Sequence, residues 1–121
     1  MDGGLYVAIF ALGRAEHIEV GRLGRYDFPP GLSLYVGSAQ RTRQAPLERH
    51  ARPEKPLRWH ADYLSTRAGM LGALLLPGGR KAECELAAEL AGRYARHVPG
   101  FGASDCRCPG HLFHVGEWAD L

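Results

Sequence analysis

The chain has few of the features that mark secreted or membrane proteins. Its three cysteines cannot pair completely, which argues against the disulfide framework of a small secreted domain. Its longest apolar runs, residues 5–12 and 69–77, are far shorter than the roughly 20 residues that a membrane-spanning helix needs. No basic segment precedes the first run, which disfavours a signal peptide. We therefore expect a cytoplasmic protein with no membrane partner.

Glycine-rich phosphate loops are also missing. Neither GxGxxG nor GxxxxGK[ST] occurs in the sequence, which disfavours dinucleotide and P-loop chemistry. Intrinsic disorder is disfavoured as well, because 45% of the residues are hydrophobic and the net charge is only +2. A chain of 121 residues is long enough to bury one core but too short for two domains of ordinary size. The sequence predicts a single domain over residues 1–121.

The small net charge conceals a local excess of positive charge. Segment 41–60 carries a net charge of +4, whereas segments 1–40 and 61–121 each carry −1. Arginine outnumbers lysine by 13 to 2, and the planar guanidinium matches the oxygens of a phosphate. Two interpretations of segment 41–60 stay open, a phosphate-binding surface and a solvated helix face.

Hydrophobic periodicity predicts a small α/β (α+β) domain built on a mostly antiparallel sheet. The first strand should be buried on both faces and form a hairpin with the second, and a further buried strand should precede a long helix. Trp59 and Tyr63 should point inward from a short helix. The predicted strands are residues 4–12, 17–23, 32–37 and 70–76 with a short one ending the block 101–114, and the predicted helices are a basic segment around 47–51, then 59–66 and 80–97.

Two tyrosine–glycine triplets could carry chemistry. Residues 4–6 read GLY and residues 35–37 read YVG, and both lie on predicted strands. A phenol can donate, accept or carry a proton, and glycine allows a close approach of backbone or ligand. Tyrosine is also an ordinary strand residue, so each triplet alone is equally compatible with simple packing.

Together, these triplets resemble the signature triplets of the GIY-YIG nuclease superfamily. The resemblance spans about residues 4–115. It continues through YVGSA at 35–39, RH at 49–50, WHADYL at 59–64, EC at 83–84, FGASDCRC at 101–108 and HLF at 111–113. These blocks are similar to a compact, largely uncharacterised branch that occurs alone and fused to base-excision DNA glycosylases.

This resemblance implies a three-stranded antiparallel sheet flanked by helices, and an endonuclease that hydrolyses DNA phosphodiester bonds with one divalent cation, Mg²⁺ or Mn²⁺. DNA repair is one setting it suggests. Tyr6 and Tyr35 match the paired tyrosines beside the attacking water, and His50 matches a residue on the following helix. Glu83 matches the glutamate that holds the metal, and Gly37 closes the second triplet. A hard cation prefers such oxygen ligands.

The DNA-facing residues are expected mainly in the basic segment. One departure is Pro46, four residues before His50, where the superfamily usually has a catalytic arginine. Proline cannot hydrogen-bond a phosphate, and neither Arg43 nor Arg49 is a residue-for-residue replacement. The alternative function is therefore a weakened or inactive nucleic-acid-binding module of the same fold. The predicted DNA-binding residues are Gly37, Arg41, Arg43, Arg49, Arg52 and His60.

A second constellation consists of Cys84, Cys106, Cys108 and His111. A Cys-x-Cys pair followed by a histidine three positions later, with one distant thiolate, can form a tetrahedral zinc site. Unmodified cysteines are also commonly buried as small hydrophobic residues, so both interpretations stay open. A third hypothesis follows, in which the chain is a zinc-stabilised interaction domain whose tyrosines serve only packing.

Overall fold

A computed structural model describes residues 2–103, 107–117 and 121 of the chain. These residues form a mixed α+β fold with a mostly antiparallel sheet and flanking helices, as the sequence predicts. The strands are β1 (Gly4–Leu12), β2 (Glu16–Glu19), β3 (Arg25–Phe28), β4 (Gly31–Ala39), β5 (Gly69–Leu76), β6 (Ala95–Arg96) and β7 (Leu112–Gly116), and the helices are α1 (Gln44–Ala51), α2 (His60–Ser65) and α3 (Arg80–Ala91).

The main sheet has five strands in the order β5-β1-β4-β7-β6, with antiparallel neighbours throughout. The resemblance implies a sheet of three strands, whereas the described part of the chain forms one of five, because β6 and β7 add to the β4 side of the sheet. Full-length pairing of β1 with β4 places Tyr6 directly opposite Gly37 and Tyr35 opposite Ala8. The two triplets therefore lie side by side at the centre of the sheet.

The predicted hairpin between the first two strands is wrong. Strand β2 pairs with β3 in a separate two-stranded sheet, and a 3₁₀ turn at Gly21–Leu23 replaces the end of the predicted strand. The reason is that β4 and β5 occupy both edges of β1, so β1 offers no unpaired edge to β2.

The sequence predicts a long helix over residues 80–97, but the helix in the structure is shorter. Helix α3 ends at Ala91 with Gly92 as its C-cap, and the chain then forms β6. Arg96 and Ala95 pair there with Phe113 and His114 of β7. Their backbone groups are thus satisfied by a strand from the end of the chain, a long-range partner that local helical periodicity does not reveal.

Strand β5 exists as predicted but is not buried. It forms an edge of the sheet, and Leu71, Leu74 and Leu75 are each about half exposed. Trp59, predicted to point inward, is 46% exposed, whereas Leu64 of α2 is fully buried.

Both faces of β1 are covered, as its unbroken apolar run predicts. Tyr6, Ala8 and Phe10 pack into one core together with residues of α1 and α2. Val7 and Ile9 pack into the second core, with Ala87 of α3. Alternate residues of one strand therefore serve two cores. Within the described residues, no helix combines the length and the apolar character needed to cross a bilayer.

Candidate active site

Residues far apart in sequence meet at one pocket of about 470 Å³. Tyr6 from β1, Tyr35 from β4 and Glu83 from α3 line it. His50 of α1 lies directly behind Tyr6, which contacts it. The remaining lining residues are Gly37, Ser38, Pro46, Arg58, Trp59, His60, Arg80, Cys84 and Gly102.

The Tyr6 hydroxyl and the imidazole of His50 form a buried hydrogen bond. The distance from the Tyr6 hydroxyl oxygen to His50 Nε2 is 2.9 Å, and His50 is 1% exposed. The Tyr35 ring packs edge-on against His50 with centroids 5.5 Å apart, and the centroids of the two tyrosine rings are 6.4 Å apart. The helix that carries His50 thus presents it to both tyrosines.

Two glycines make room for the tyrosine rings. A Cβ atom on Gly37 would lie 2.4 Å from Cζ and the hydroxyl oxygen of Tyr6, and one on Gly102 would lie 2.7 Å from Tyr35 Cε1. Both distances are shorter than any ordinary contact between carbon atoms. The last glycine of the YVG triplet is therefore explained by the ring that the opposite strand places against it.

Burial keeps all three rings uncharged. Burial, and then the neighbouring Tyr35 and Glu83, raise the pKa of Tyr6 well above its ordinary value. Burial and Glu83 likewise raise the pKa of Tyr35. Burial lowers the pKa of His50 to about 4. At neutral pH the site therefore combines a neutral imidazole with two neutral phenols.

The imidazole of His50 has one satisfied and one unsatisfied nitrogen. Within the described residues its Nδ1 is buried and has no hydrogen-bond partner. When Nδ1 carries the ring proton, Nε2 can accept the hydrogen bond of the Tyr6 hydroxyl. Buried unpaired polar atoms are rare and costly, and functional sites are among the places that retain them.

Glu83 is the acidic residue of the pocket. Its Oε1 accepts a hydrogen bond of 2.5 Å from the Ser38 hydroxyl, and its Oε2 lies 2.8 Å from Nδ1 of the buried His111. The side chain is 16% exposed. Carboxylate and hydroxyl oxygens at the pocket wall are ligands of the kind that a hard divalent cation prefers.

Arg58 and Arg80 flank the pocket, although the sequence did not single out either one as a site residue. Both are exposed, and neither guanidinium is ion-paired in the part of the chain that the structure describes. The sequence feature that could have identified Arg80 as a site residue is its position three residues before Glu83, which places both on one helix face. Arg58 belongs to the basic segment 41–60 and directly precedes the WHADYL block at residues 59–64.

Two of the predicted DNA-binding arginines, Arg43 and Arg49, are hydrogen-bonded to groups of the fold. The Arg43 guanidinium donates to the carbonyl oxygens of Asp2, Leu5 and Leu76 at 2.9–3.1 Å, and fits where Gly4 has no side chain. Arg43 does not line the pocket. It therefore does not replace the catalytic arginine that the resemblance expects at the position of Pro46. Arg41 and Arg52 are exposed.

Arg49 forms a two-pronged ion pair with the fully buried carboxylate of Asp62. Its Nε and Nη2 donate to the two carboxylate oxygens at 3.0 and 2.7 Å, and its guanidinium stacks 4.8 Å from the Trp59 ring centroid. Asp62 Oδ2 also accepts the backbone N–H groups of Arg58 and Trp59. This cluster fixes α1 to the start of α2.

His60 lines the pocket and also orients a loop. Its Nδ1 accepts a 2.8 Å hydrogen bond from the backbone N–H of Gly102, the glycine against which Tyr35 packs. Pro46 lies in the first turn of α1, where its missing N–H costs little, and it faces the same pocket.

Cys84, Cys108 and His111 come together beside Glu83. Their ligand atoms all lie within 4.8 Å of one another, and Cys84 Sγ is 3.7 Å from His111 Nε2. Cys106, the fourth member of the predicted cluster, lies outside the described residues.

A family model described as a domain of unknown function, DUF123, matches residues 5–121. No curated protein and no solved structure matches the chain. The matched region includes every residue of the pocket.

Proposed function

The chain belongs to the DUF123 family of uncharacterised domains, and we propose that it is a divalent-metal-dependent DNA endonuclease that hydrolyses phosphodiester bonds. The observation that carries this proposal is the convergence of Tyr6, Tyr35 and Glu83 on one pocket, with His50 bonded to Tyr6 directly behind it. The resemblance of the sequence to GIY-YIG nucleases predicts the same four residues as the catalytic set.

The charge of the pocket favours a phosphate group as substrate. Arg58 and Arg80 at its rim outnumber the single carboxylate of Glu83, and a guanidinium can take two phosphate oxygens at once. The half-exposed Trp59 beside them offers an aromatic face on which a nucleobase can stack. These three side chains would position a nucleic-acid strand across the pocket.

Glu83, with Ser38 beside it, would hold the divalent cation. When bound, a cation of this class neutralises charge that builds on the phosphate and lowers the pKa of a bound water. Side chains of the protein itself would carry out the proton transfer.

In the proposed mechanism, His50 is the general base and acts through Tyr6. The Tyr6 oxygen takes a proton from the attacking water while its own hydroxyl proton passes to His50 Nε2. Tyr6 is thus neutral before and after the step, which agrees with the burial that opposes a tyrosinate. The hydroxide forms the new bond to phosphorus, the bond to the leaving sugar oxygen breaks, and bulk water protonates that oxygen. Asp62 is the neighbouring group that favours the imidazolium, and the reverse relay through Tyr6 returns its proton to solvent.

Nicking of supercoiled plasmid in the presence of Mg²⁺ or Mn²⁺ tests the proposal. We expect cleavage by the wild type and at least a tenfold loss for Glu83→Gln, since metal-assisted charge stabilisation supplies several kcal/mol. Glu89→Gln, an exposed position on the same helix, is the matched control and should cleave normally. Equal cleavage by both variants would remove Glu83 from the active site.

A second function, nucleic-acid binding without hydrolysis, is favoured by Pro46. This proline lies at the pocket where the resemblance expects a catalytic arginine, and the fold holds Arg43 and Arg49 elsewhere. Salt-dependent binding of a DNA duplex with no nicking in either metal would establish this second function and exclude the first.

A further inference from the structure

The Cys84, Cys108 and His111 side chains form a cluster that the hydrolytic mechanism does not use. Cys84 is in α3, whereas Cys108 and His111 lie in the segment that leads into β7. Helix α3 packs on β1 and β4, and the cluster lies behind Glu83, on the side of its carboxylate that faces His111.

The distance between two of the ligand atoms already matches a tetrahedral metal site, and the third ligand atom lies close by. Zn–S and Zn–N bonds of about 2.3 and 2.0–2.1 Å imply S···N and S···S edges of about 3.6 and 3.8 Å in a tetrahedron. The observed distance from Cys84 Sγ to His111 Nε2 is 3.7 Å. Since all three ligand atoms lie within 4.8 Å of one another, the remaining edges need to shorten by at most about 1 Å.

The surroundings of His111 also favour metal binding by its imidazole. The ring is completely buried, and its Nδ1 lies 2.8 Å from Glu83 Oε2, at ion-pair distance. A carboxylate beside Nδ1 favours the tautomer that directs the Nε2 lone pair toward the thiols. Metal-bound histidines characteristically have such a carboxylate behind the ring.

We propose that Cys84, Cys108 and His111 bind a Zn²⁺ that joins α3 to the β7 segment and keeps one coordination position for a solvent ligand, and that Glu83 orients His111 from the pocket side. Two thiolates and one imidazole form a donor set that prefers zinc to magnesium. Binding displaces the thiol protons, so uptake of the metal releases protons to solvent. Because Glu83 contacts both the cluster and the pocket, an occupied zinc site would hold the carboxylate that the proposed function assigns to the catalytic cation.

Metal content and cobalt spectroscopy test this proposal without any reference to activity. Full-length protein purified without chelators should contain about one zinc per chain. After replacement by Co²⁺, it should show thiolate-to-cobalt charge-transfer absorption and the visible bands of a tetrahedral ion. Cys108→Ser should lose much of the charge-transfer intensity. His114→Gln, a half-buried histidine of β7 outside the cluster, should leave the spectrum unchanged.

Glu83→Gln tests the orienting role. It should keep the cobalt spectrum but weaken zinc affinity by about 10- to 100-fold, the usual effect of losing a partner of a metal-bound histidine. An unchanged affinity would overturn that role.

The two proposals fail separately. Folded wild-type protein that contains no zinc and takes up no Co²⁺ overturns the zinc site, even if a substituted variant does not fold. A zinc-loaded protein that never nicks DNA overturns the endonuclease and leaves the zinc site intact.

Discussion

The contact between Tyr6 and His50 is the residue-level feature on which the proposed chemistry depends. A phenol in water has a pKa near 10 and is a poor base at neutral pH. Burial in this protein raises the pKa of Tyr6 further, whereas burial lowers the pKa of His50 to about 4. Both groups are therefore uncharged at neutral pH, and the hydrogen bond between them is the contact through which the proposed relay would pass a proton.

Burial of His50 predicts a pH-dependent stability. The groups that act on its charge are Lys55 and Arg49, which lower its pKa together with burial, and Asp62, which raises it. A histidine of ordinary pKa, near 6.5, takes up a proton in the unfolded chain before His50 does in the folded one. The stability that neutral His50 allows is therefore complete above about pH 6.5 and is lost as the pH falls toward 4.

Urea unfolding at pH 7 and pH 4.5 measures this loss. The wild type should lose roughly 2 kcal/mol more free energy of unfolding over this range than His50→Gln, which does not titrate. His60 and His97 also have lowered pKa values, but they are present in both proteins and cancel in the comparison. Parallel loss in the two proteins would show that His50 titrates normally.

Substitution of Gly37 tests the packing of Tyr6. Gly37→Ala would bring a methyl group into the Tyr6 ring, and should lower the free energy of unfolding by about 1–3 kcal/mol. Gly72→Ala in β5 is the matched control, because a Cβ at Gly72 meets nothing within 4 Å. Equal stability of the two variants in urea would show that the Tyr6 ring does not lie against Gly37.

At the scale of elements, the basic segment 41–60 divides into structural and exposed side chains. Arg43 and Arg49 bind backbone and carboxylate groups of the fold. Lys55 donates to the Arg49 carbonyl oxygen and the Ser65 hydroxyl, and so ties the end of α1 to α2. The +4 charge seen in the sequence is therefore only partly available to a phosphate backbone.

The two classes of arginine should respond differently to substitution. Arg43→Ala removes a charged group that donates to three carbonyl oxygens, and should destabilise the protein by about 2–3 kcal/mol in urea unfolding. Arg41→Ala removes an exposed side chain and should change stability by no more than about 0.5 kcal/mol. Equal effects would mean that Arg43 does not hold the fold together.

Exposed arginines should set the salt dependence of DNA binding. If Arg41, Arg52, Arg58 and Arg80 each neutralise one phosphate, the log–log slope against salt has a magnitude of about 3–4. Arg58→Ala should reduce that slope by about 1, which fluorescence anisotropy with a labelled duplex can measure. A slope that Arg58→Ala leaves unchanged would remove this side chain from the DNA surface.

Local pattern was sufficient for some elements and insufficient for others. The apolar run of β1, the proline-bounded α1 and the start of α3 were predicted because their signals are contiguous. The pairing of the strands could not be predicted in this way. Strands β2 and β6 are short, and which strand each one pairs with depends on which sheet edges remain unpaired. The same limit explains β5, whose apolar residues are about half exposed only because it became an edge strand.

At the scale of the whole molecule, the fold class could be predicted from the sequence, whereas the catalytic use of the candidate site stays a prediction. The resemblance singled out Tyr6, Tyr35, His50 and Glu83. The sheet register and helix placement bring Tyr6, Tyr35 and Glu83 to one pocket, with His50 buried behind Tyr6. Arg58 and Arg80 were missed because charge alone does not distinguish a pocket rim from a solvated face. The structural use of Arg43 was missed for a similar reason, since its partners are backbone carbonyl oxygens that no side-chain pattern marks.

The rate of plasmid nicking by Tyr6→Phe tests the central claim most directly. The phenylalanine ring keeps the packing against Gly37 but cannot relay a proton, so the rate should fall by at least about 100-fold, the lower range for loss of general base catalysis. Tyr94→Phe, a tyrosine packed in the other core, should nick at the wild-type rate. Nicking by Tyr6→Phe at the rate of the wild type would contradict the proposed role of the Tyr6–His50 pair in hydrolysis.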